Sequence, residues 1–323
     1  MTQAPPHRNR FPSRAVLIPI ALVGVAIILW FGAATLVTYH ILHPPFLDGT
    51  YGDVIFGSEK EGASAELQTD PMSCCQAAFE TISINAGGIT VSGWFVPASL
   101  HSVVLLAPPS GASKRAMLPY LKFLHAAGLP VLTIDDPDLV RGRAGWGWTN
   151  RDIIMRAADT LRQKGFANIA ALGISQGAAT ALIVQAQHPD TFKAIIADSS
   201  FANLGAMLRR NPSLAGLNPA FLQTILWEVG AALGRSTDEI APRLSASHLG
   251  DCQLLLIQNT KDPLIPKSDA GRILAARADA SSGIFLVEST GHGDAIYVNP
   301  DGYQKAALDF LARTLPSASS SAH

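Results

Sequence analysis

Gly173-Ile174-Ser175-Gln176-Gly177 is a G-x-S-x-G run, the pattern of a nucleophile elbow. The run has the context that such a turn needs. Residues Asn168–Leu172 precede it as a buried strand, and Ala178–Leu182 continue it as a helix. A side chain at Gly173 or Gly177 would clash across so sharp a bend. The helix N-terminus beyond the serine would turn its positive end toward a developing oxyanion. Ser175 is therefore the candidate nucleophile.

A serine hydroxyl attacks poorly without a base, and the base needs an acid to orient it. On an elbow fold the acid follows the serine and the histidine comes last. Of nine histidines, His7, His40, His43 and His323 lie near the N-terminal apolar segment or at the chain end. His101 and His125 precede the serine, His188 caps the helix after it, and His248 stands before a strand. His292 lies between Gly291 and Gly293, after the apolar run ending at Val287. It is the candidate base. Asp262, in Asn259-Thr260-Lys261-Asp262-Pro263 just past the run Leu254–Gln258, is the candidate acid. Asp198, at the end of an earlier strand, is the alternative, and Asp294 is too close in sequence to brace His292 well. The second oxyanion donor should come from Pro108-Pro109-Ser110-Gly111. Prolines carry no N–H, which leaves the Ser110 amide to act with that of Gln176.

The elements that must position these residues alternate. Thr81–Asn85 and Ile89–Val96 read as an antiparallel pair, followed by strands Val103–Ala107, Val131–Asp135, Ile169–Ile174, Ala194–Asp198, Leu254–Gln258 and Ile284–Val287. Helical periodicity fills the gaps: Lys114–Ala127, a helix capped by Thr149 and running to Gln163, Gly177–Gln187, Ser268–Ala278 and Pro300–Leu315. Such alternation predicts an α/β fold, a mostly parallel sheet covered by helices on both faces, over residues 81–315. Residues 202–250 break the alternation with helices alone and predict a cap insertion over the strand C-terminal ends, with residues 39–80 as the linker into the domain.

Composition narrows the rest. Hydrophobic residues make up 48% of the 323 and charged residues 15%, against about 25% charged in an average domain. Disorder is excluded, and a formal net charge of -1 provides no basic footprint for nucleic acid. The apolar excess sits in residues 15–38, which carry no charge and would span about 36 Å as a helix, enough to cross a bilayer. Arg8, Arg10 and Arg14 precede this stretch, and no Lys or Arg comes after it until Lys60. The positive-inside rule predicts a single-pass anchor with a cytoplasmic N-terminus and the catalytic domain outside the cytoplasm. Residues 1–14 and 316–323 read as tails. Cys74, Cys75 and Cys252 are too few for a disulfide scaffold; in an oxidising compartment Cys252 could pair with Cys74 or Cys75.

Ser175, Asp262 and His292, in that order, resemble the α/β-hydrolase superfamily. Within it the chain is similar to the membrane-anchored branch of acylglycerol lipases, depalmitoylating thioesterases and serine-aminopeptidase-like proteins. The resemblance runs from about Tyr51 to Leu315 and rests also on Gly93-Trp94-Phe95-Val96-Pro97 and Lys261-Asp262-Pro263. Two segments depart from the family pattern: Pro108-Pro109 replaces the usual His-Gly, and Asp136-Pro137-Asp138-Leu139-Val140-Arg141-Gly142-Arg143 replaces a glycine-rich arginine turn. The resemblance implies a serine hydrolase acting on a small-molecule or lipid ester or thioester, without metal or cofactor. A serine peptidase using the same triad, or a non-catalytic binding member of the fold, are the alternatives.

Overall fold

The computed structural model describes residues 14–48, 69–277 and 282–315. Residues 1–13 and 316–323 of the expected tails, residues 49–68 of the linker and the flanking charges Arg8, Arg10 and Lys60 lie outside them.

Among the described residues eight strands form one sheet: β1 Glu80–Ala86, β2 Ile89–Val96, β3 Ser102–Ala107, β4 Val131–Ile134, β5 Asn168–Ile174, β6 Ala194–Asp198, β7 Gln253–Asn259 and β8 Gly283–Val287. Their order is β1-β2-β4-β3-β5-β6-β7-β8. Only β1/β2 and β2/β4 are antiparallel; every pairing from β4/β3 to β7/β8 is parallel. The expected mostly parallel sheet is what forms.

The sequence explains the burial. β3 and β6 are buried along their whole length, as parallel strands covered on both faces must be, and their apolar runs Val103–Ala107 and Ala194–Ala197 read so in sequence. The edge strand β1 alternates buried Ile82 and Ile84 with exposed neighbours. Along β5, Ile169 and Ala171 feed one core, whereas Ala170, Leu172 and Ile174 feed the other. Helices Arg151–Gln163, Gln176–Gln187 and Lys267–Ala275 cover the first face through Ile153, Leu161, Leu182 and Ile273. Helices Leu118–Ala126 and Pro300–Thr314 cover the second through Leu121, Leu124, Tyr303 and Phe310.

Three local expectations differ. The helix expected over 114–127 divides into a 3₁₀ turn, Lys114–Met117, and an α-helix, Leu118–Ala126. Pro119 sits in the first turn of that helix and has no N–H to extend an α ladder back through the turn. Thr149 does not cap its helix, which begins at Arg151. The Thr149 and Asn150 side chains instead accept bonds from Arg141. Finally, Cys74 and Cys75 are bonded to each other and not to Cys252. The sheet explains this: Cys74 packs in the core on one face and Cys252 in the core on the other.

A third apolar cluster joins the insertion to the N-terminus. Helices Leu204–Arg210 and Pro219–Leu233 contribute Leu204, Leu208, Ile225 and Val229, and the long helix Arg14–Leu42 contributes Ala34 and Leu42.

Candidate active site

The turn from β5 into helix Gln176–Gln187 places Ser175 at φ 52° and ψ -113°, a left-handed backbone that a non-glycine residue rarely adopts. Its flanking glycines are required by close approach. A Cβ on Gly173 would strike the backbone of Gly177 and Ala178, and one on Gly177 would strike the carbonyls of Ala107 and Pro108. The elbow helix therefore starts directly against the end of β3. Gln176, its first residue, has no intrahelical acceptor for its N–H.

His292 and Asp262 arrive on adjacent loops. Asp262 lies just past β7, and its Oδ1 accepts from the Leu264 and Ile265 amides at 2.8 and 2.9 Å. These two bonds hold the carboxylate in an Asx-type turn and leave Oδ2 for another donor. His292 lies past β8. Its loop is tied back to β7 by Asn259, whose side-chain amide donates to the Gly291 carbonyl at 2.8 Å and to Asp294 Oδ1 at 2.7 Å. The Ser289 hydroxyl donates to the same oxygen at 2.8 Å. Asp294 thus braces the loop backbone.

With both loops set, His292 Nδ1 lies 2.7 Å from Asp262 Oδ2 and Nε2 lies 2.9 Å from Ser175 Oγ. Three residues separated by up to 117 positions in the chain meet in one hydrogen-bonded line. Asp198, the alternative acid, is fully buried at the end of β6 and is not in that line. Its Oδ1 accepts from the Ser199 hydroxyl at 2.9 Å. Burial pushes its carboxyl up to about 7, against the Ser199 bond, which favours the charged form.

Ser110, expected as the second oxyanion donor, lies in the turn after β3, the strand end on which Gly177 rests. Its hydroxyl points to Asp138 Oδ2 at 3.4 Å. That contact belongs to a buried cluster within the segment that departs from the family pattern, to which sequence alone assigns no role. Asp136 and Asp138 are both buried under the 108–111 loop. Asp136 Oδ2 accepts the Gly111 N–H at 2.6 Å, and its Oδ1 accepts the Asn150 amide at 3.2 Å. Asp138 Oδ2 accepts the Gly145 N–H at 2.9 Å and the Gln176 side-chain amide at 2.8 Å. Burial raises both carboxyls, and Asp138 raises Asp136 further. Two acids flanking a proline immediately after a buried strand, with Arg141 close behind, are the signal that could have found them.

Model-based comparison of the sequence matches the prolyl oligopeptidase family over residues 140–315, more than half of the chain. No curated protein matches. Among solved structures, an esterase of Pyrococcus furiosus is similar over 77% of this chain and 95% of its own, with 17% identity and a TM-score of 0.63. A Pyrococcus horikoshii acylaminoacyl peptidase is similar over 76% of this chain and 43% of its own, with 14% identity and a TM-score of 0.56. A Mycobacterium tuberculosis puromycin-hydrolyzing peptidase is similar over 81% and 41%, with 21% identity and a TM-score of 0.55. This chain thus spans less than half the length of either peptidase.

Proposed function

Because the chain belongs to the prolyl oligopeptidase family, we propose that it is a membrane-anchored serine hydrolase that cleaves a carboxylic ester or thioester of an apolar acyl group. The observation that carries this reading is the position of His292, within hydrogen-bond reach of Ser175 on one side and Asp262 on the other.

The chemistry comes from that line. Ser175 Oγ attacks the acyl carbonyl carbon while its proton passes to His292 Nε2. Asp262 accepts the Nδ1–H, fixing the tautomer that leaves Nε2 free, and stabilises the imidazolium that forms. The negative charge on the carbonyl oxygen is met by the backbone amides of Gln176 and Ser110. The imidazolium returns its proton to the leaving alcohol or thiol, giving an acyl-serine. Water, deprotonated by the same imidazole, then releases the acid and restores Ser175.

The ester preference is supported by what surrounds the elbow. Ile265, three residues past Asp262, shares an apolar cluster with Phe201 and with Leu204 and Ile225 of the insertion, and the N-terminal helix continues it. Trp146, Trp148, Met207 and Leu222 pack against this cluster half-buried, and an apolar acyl chain suits such surfaces. The anchor reading is supported by Ile18–Leu42, which has a mean hydropathy of 2.5 over its most apolar window and little burial. The arginine bias of its flanks favours an extracytoplasmic catalytic domain. A peptidase is the second reading, favoured by the family match over residues 140–315.

Fluorophosphonate labelling of the full chain tests the nucleophile, since only an activated serine reacts. Labelling lost in Ser175→Ala is expected; labelling that persists there sinks the assignment, and none in either chain favours a binding protein. Parallel assays on acyl esters of increasing chain length and on aminoacyl amides decide between the two substrate classes.

A further inference from the structure

The insertion carries a surface that a water-facing cap should not have. Residues 211–227, Asn-Pro-Ser-Leu-Ala-Gly-Leu-Asn-Pro-Ala-Phe-Leu-Gln-Thr-Ile-Leu-Trp, contain no charged residue. Yet Pro212, Ala215, Pro219 and Ala220 are exposed, and Trp227 is 64% exposed. Charges resume on both sides: Arg209 pairs with Asp238 and Arg210 with Asp269 before the segment, and Arg235 pairs with Glu239 after it. An exposed helix normally sets charged side chains opposite its buried stripe. Helix Pro219–Leu233 buries Ile225, Leu226, Val229 and Leu233 but has a single charge, Glu228, and this accepts the Thr35 hydroxyl of the N-terminal helix at 3.3 Å.

The N-terminal helix supplies the second observation. It changes character at Trp30. From Ile18 to Phe31 its large side chains are exposed, whereas Ala34, Thr38 and Leu42 are buried against the domain. Trp30 itself donates its indole N–H to Thr224 at 3.1 Å and meets Phe221 edge-on at 5.0 Å. Trp30 faces residues 221–224 and Thr35 faces Glu228, so the two helices run side by side in the same direction. The uncharged tip of the insertion is therefore level with Trp30.

Arg14 to Trp30 makes about 25 Å of helix, close to the thickness of a hydrocarbon core. Tryptophan concentrates at the membrane–water boundary, where its ring is apolar and its N–H is bonded. Trp30, central in the long apolar helix, then marks the end of the span, and residues 31–42 are a stalk packed on the catalytic domain.

On the anchor reading above, we propose that the tip of the insertion, residues 211–227, is a second membrane contact that rests in the interfacial layer of the bilayer beside Trp30, its partner being the lipid surface. The surface is continuous with the anchor, uncharged and aromatic, and its asparagine and serine groups are suited to the headgroup–acyl boundary. The insertion is thereby held against lipid beside the anchor.

The test uses the full chain in nanodiscs whose phosphatidylcholine carries bromine on the upper acyl carbons, a short-range quencher. A bimane label is placed singly by Ala220→Cys, Trp227→Cys, Val25→Cys and Lys193→Cys, with folding checked by circular dichroism. The proposal expects residue 220 or 227 to lose most of its fluorescence, approaching Val25, while exposed Lys193 at the opposite end of the sheet keeps its own. Quenching at Val25 with 220 and 227 no different from 193 overturns the tip contact and leaves the anchor standing. Absence of quenching at Val25 overturns the anchor and this proposal with it.

Discussion

The backbone N–H of Ser175 donates to the carbonyl oxygen of Asp198 at 2.7 Å. Asp198 thus reaches the nucleophile through its main chain, as part of the β5/β6 ladder, while its carboxylate turns to the Ser199 hydroxyl. The acid that meets the imidazole is Asp262, one strand further along. Two aspartates that look equivalent in sequence, each at a strand end after the serine, have separate tasks.

Kinetics separates them. Asp262→Asn should lower kcat by about 10³ to 10⁴, the scale seen when a triad aspartate is so changed, because the wrong hydrogen-bonding partner faces Nδ1. KM should move little, since the lost interaction belongs to the transition state. Asp198→Asn keeps its backbone carbonyl and should retain most activity. A folded Asp198→Asn enzyme that is inactive beside an active Asp262→Asn would exchange their roles.

Asp198 also carries a signature in stability. Its carboxyl titrates near 7 when folded because burial penalises the charged form, against about 3.9 unfolded. Between those values the folded state binds more protons than the unfolded one. Its contribution therefore opposes folding increasingly as pH rises from about 4 to about 7, and is complete above that. Asp198→Asn removes the titration. Urea unfolding at pH 5 and pH 8 should show the variant gaining on the parent at the higher pH; equal differences at both would refute the assignment.

The contact between the elbow and the end of β3 can be broken by one methyl group. In Gly177→Ala the new Cβ meets the carbonyls of Ala107 and Pro108, which are backbone and cannot swing aside. Overpacking of this kind costs about 1–3 kcal/mol and should remove most turnover by shifting the Gln176 amide. Gly283→Ala, where nothing lies within 4 Å, is the matched control and should be near neutral in thermal unfolding and in ester assays.

Asp138 tests the buried carboxyl pair. Asp138→Ala strips the acceptor from the Gly145 amide, the Gln176 side chain and the Ser110 hydroxyl together. The groups it holds include both residues whose amides we propose as the oxyanion donors. A fall in kcat of about tenfold or more is expected, short of the 10² to 10³ caused by loss of an oxyanion donor itself. KM should change little. An equal rise in KM at constant kcat would make Asp138 a substrate-binding residue and not a positioning one.

The local motifs were legible in the residues alone because each is a local constraint. Strand-to-helix turns need glycine at 173 and 177, strands buried on both faces read as apolar runs, and the charge-free stretch 15–38 reads as one long apolar helix. The order Ser175, Asp262, His292 could be read in the same way, from the residues just past the C-terminal ends of β5, β7 and β8. Tertiary structure decided the rest, because it depends on which loops the sheet order sets side by side. That order places β7 between β6 and β8, so the Asp262 and His292 loops are neighbours and Asp198 is left behind in the ladder. It puts Cys74 and Cys252 on opposite faces, which no spacing could show. It folds Asp136 and Asp138 against the 108–111 loop, where burial, absent from the sequence, turns two ordinary aspartates into its support. And it lays Trp30 against Phe221, far along the chain, a pairing set by helix packing across the whole domain and by no local preference.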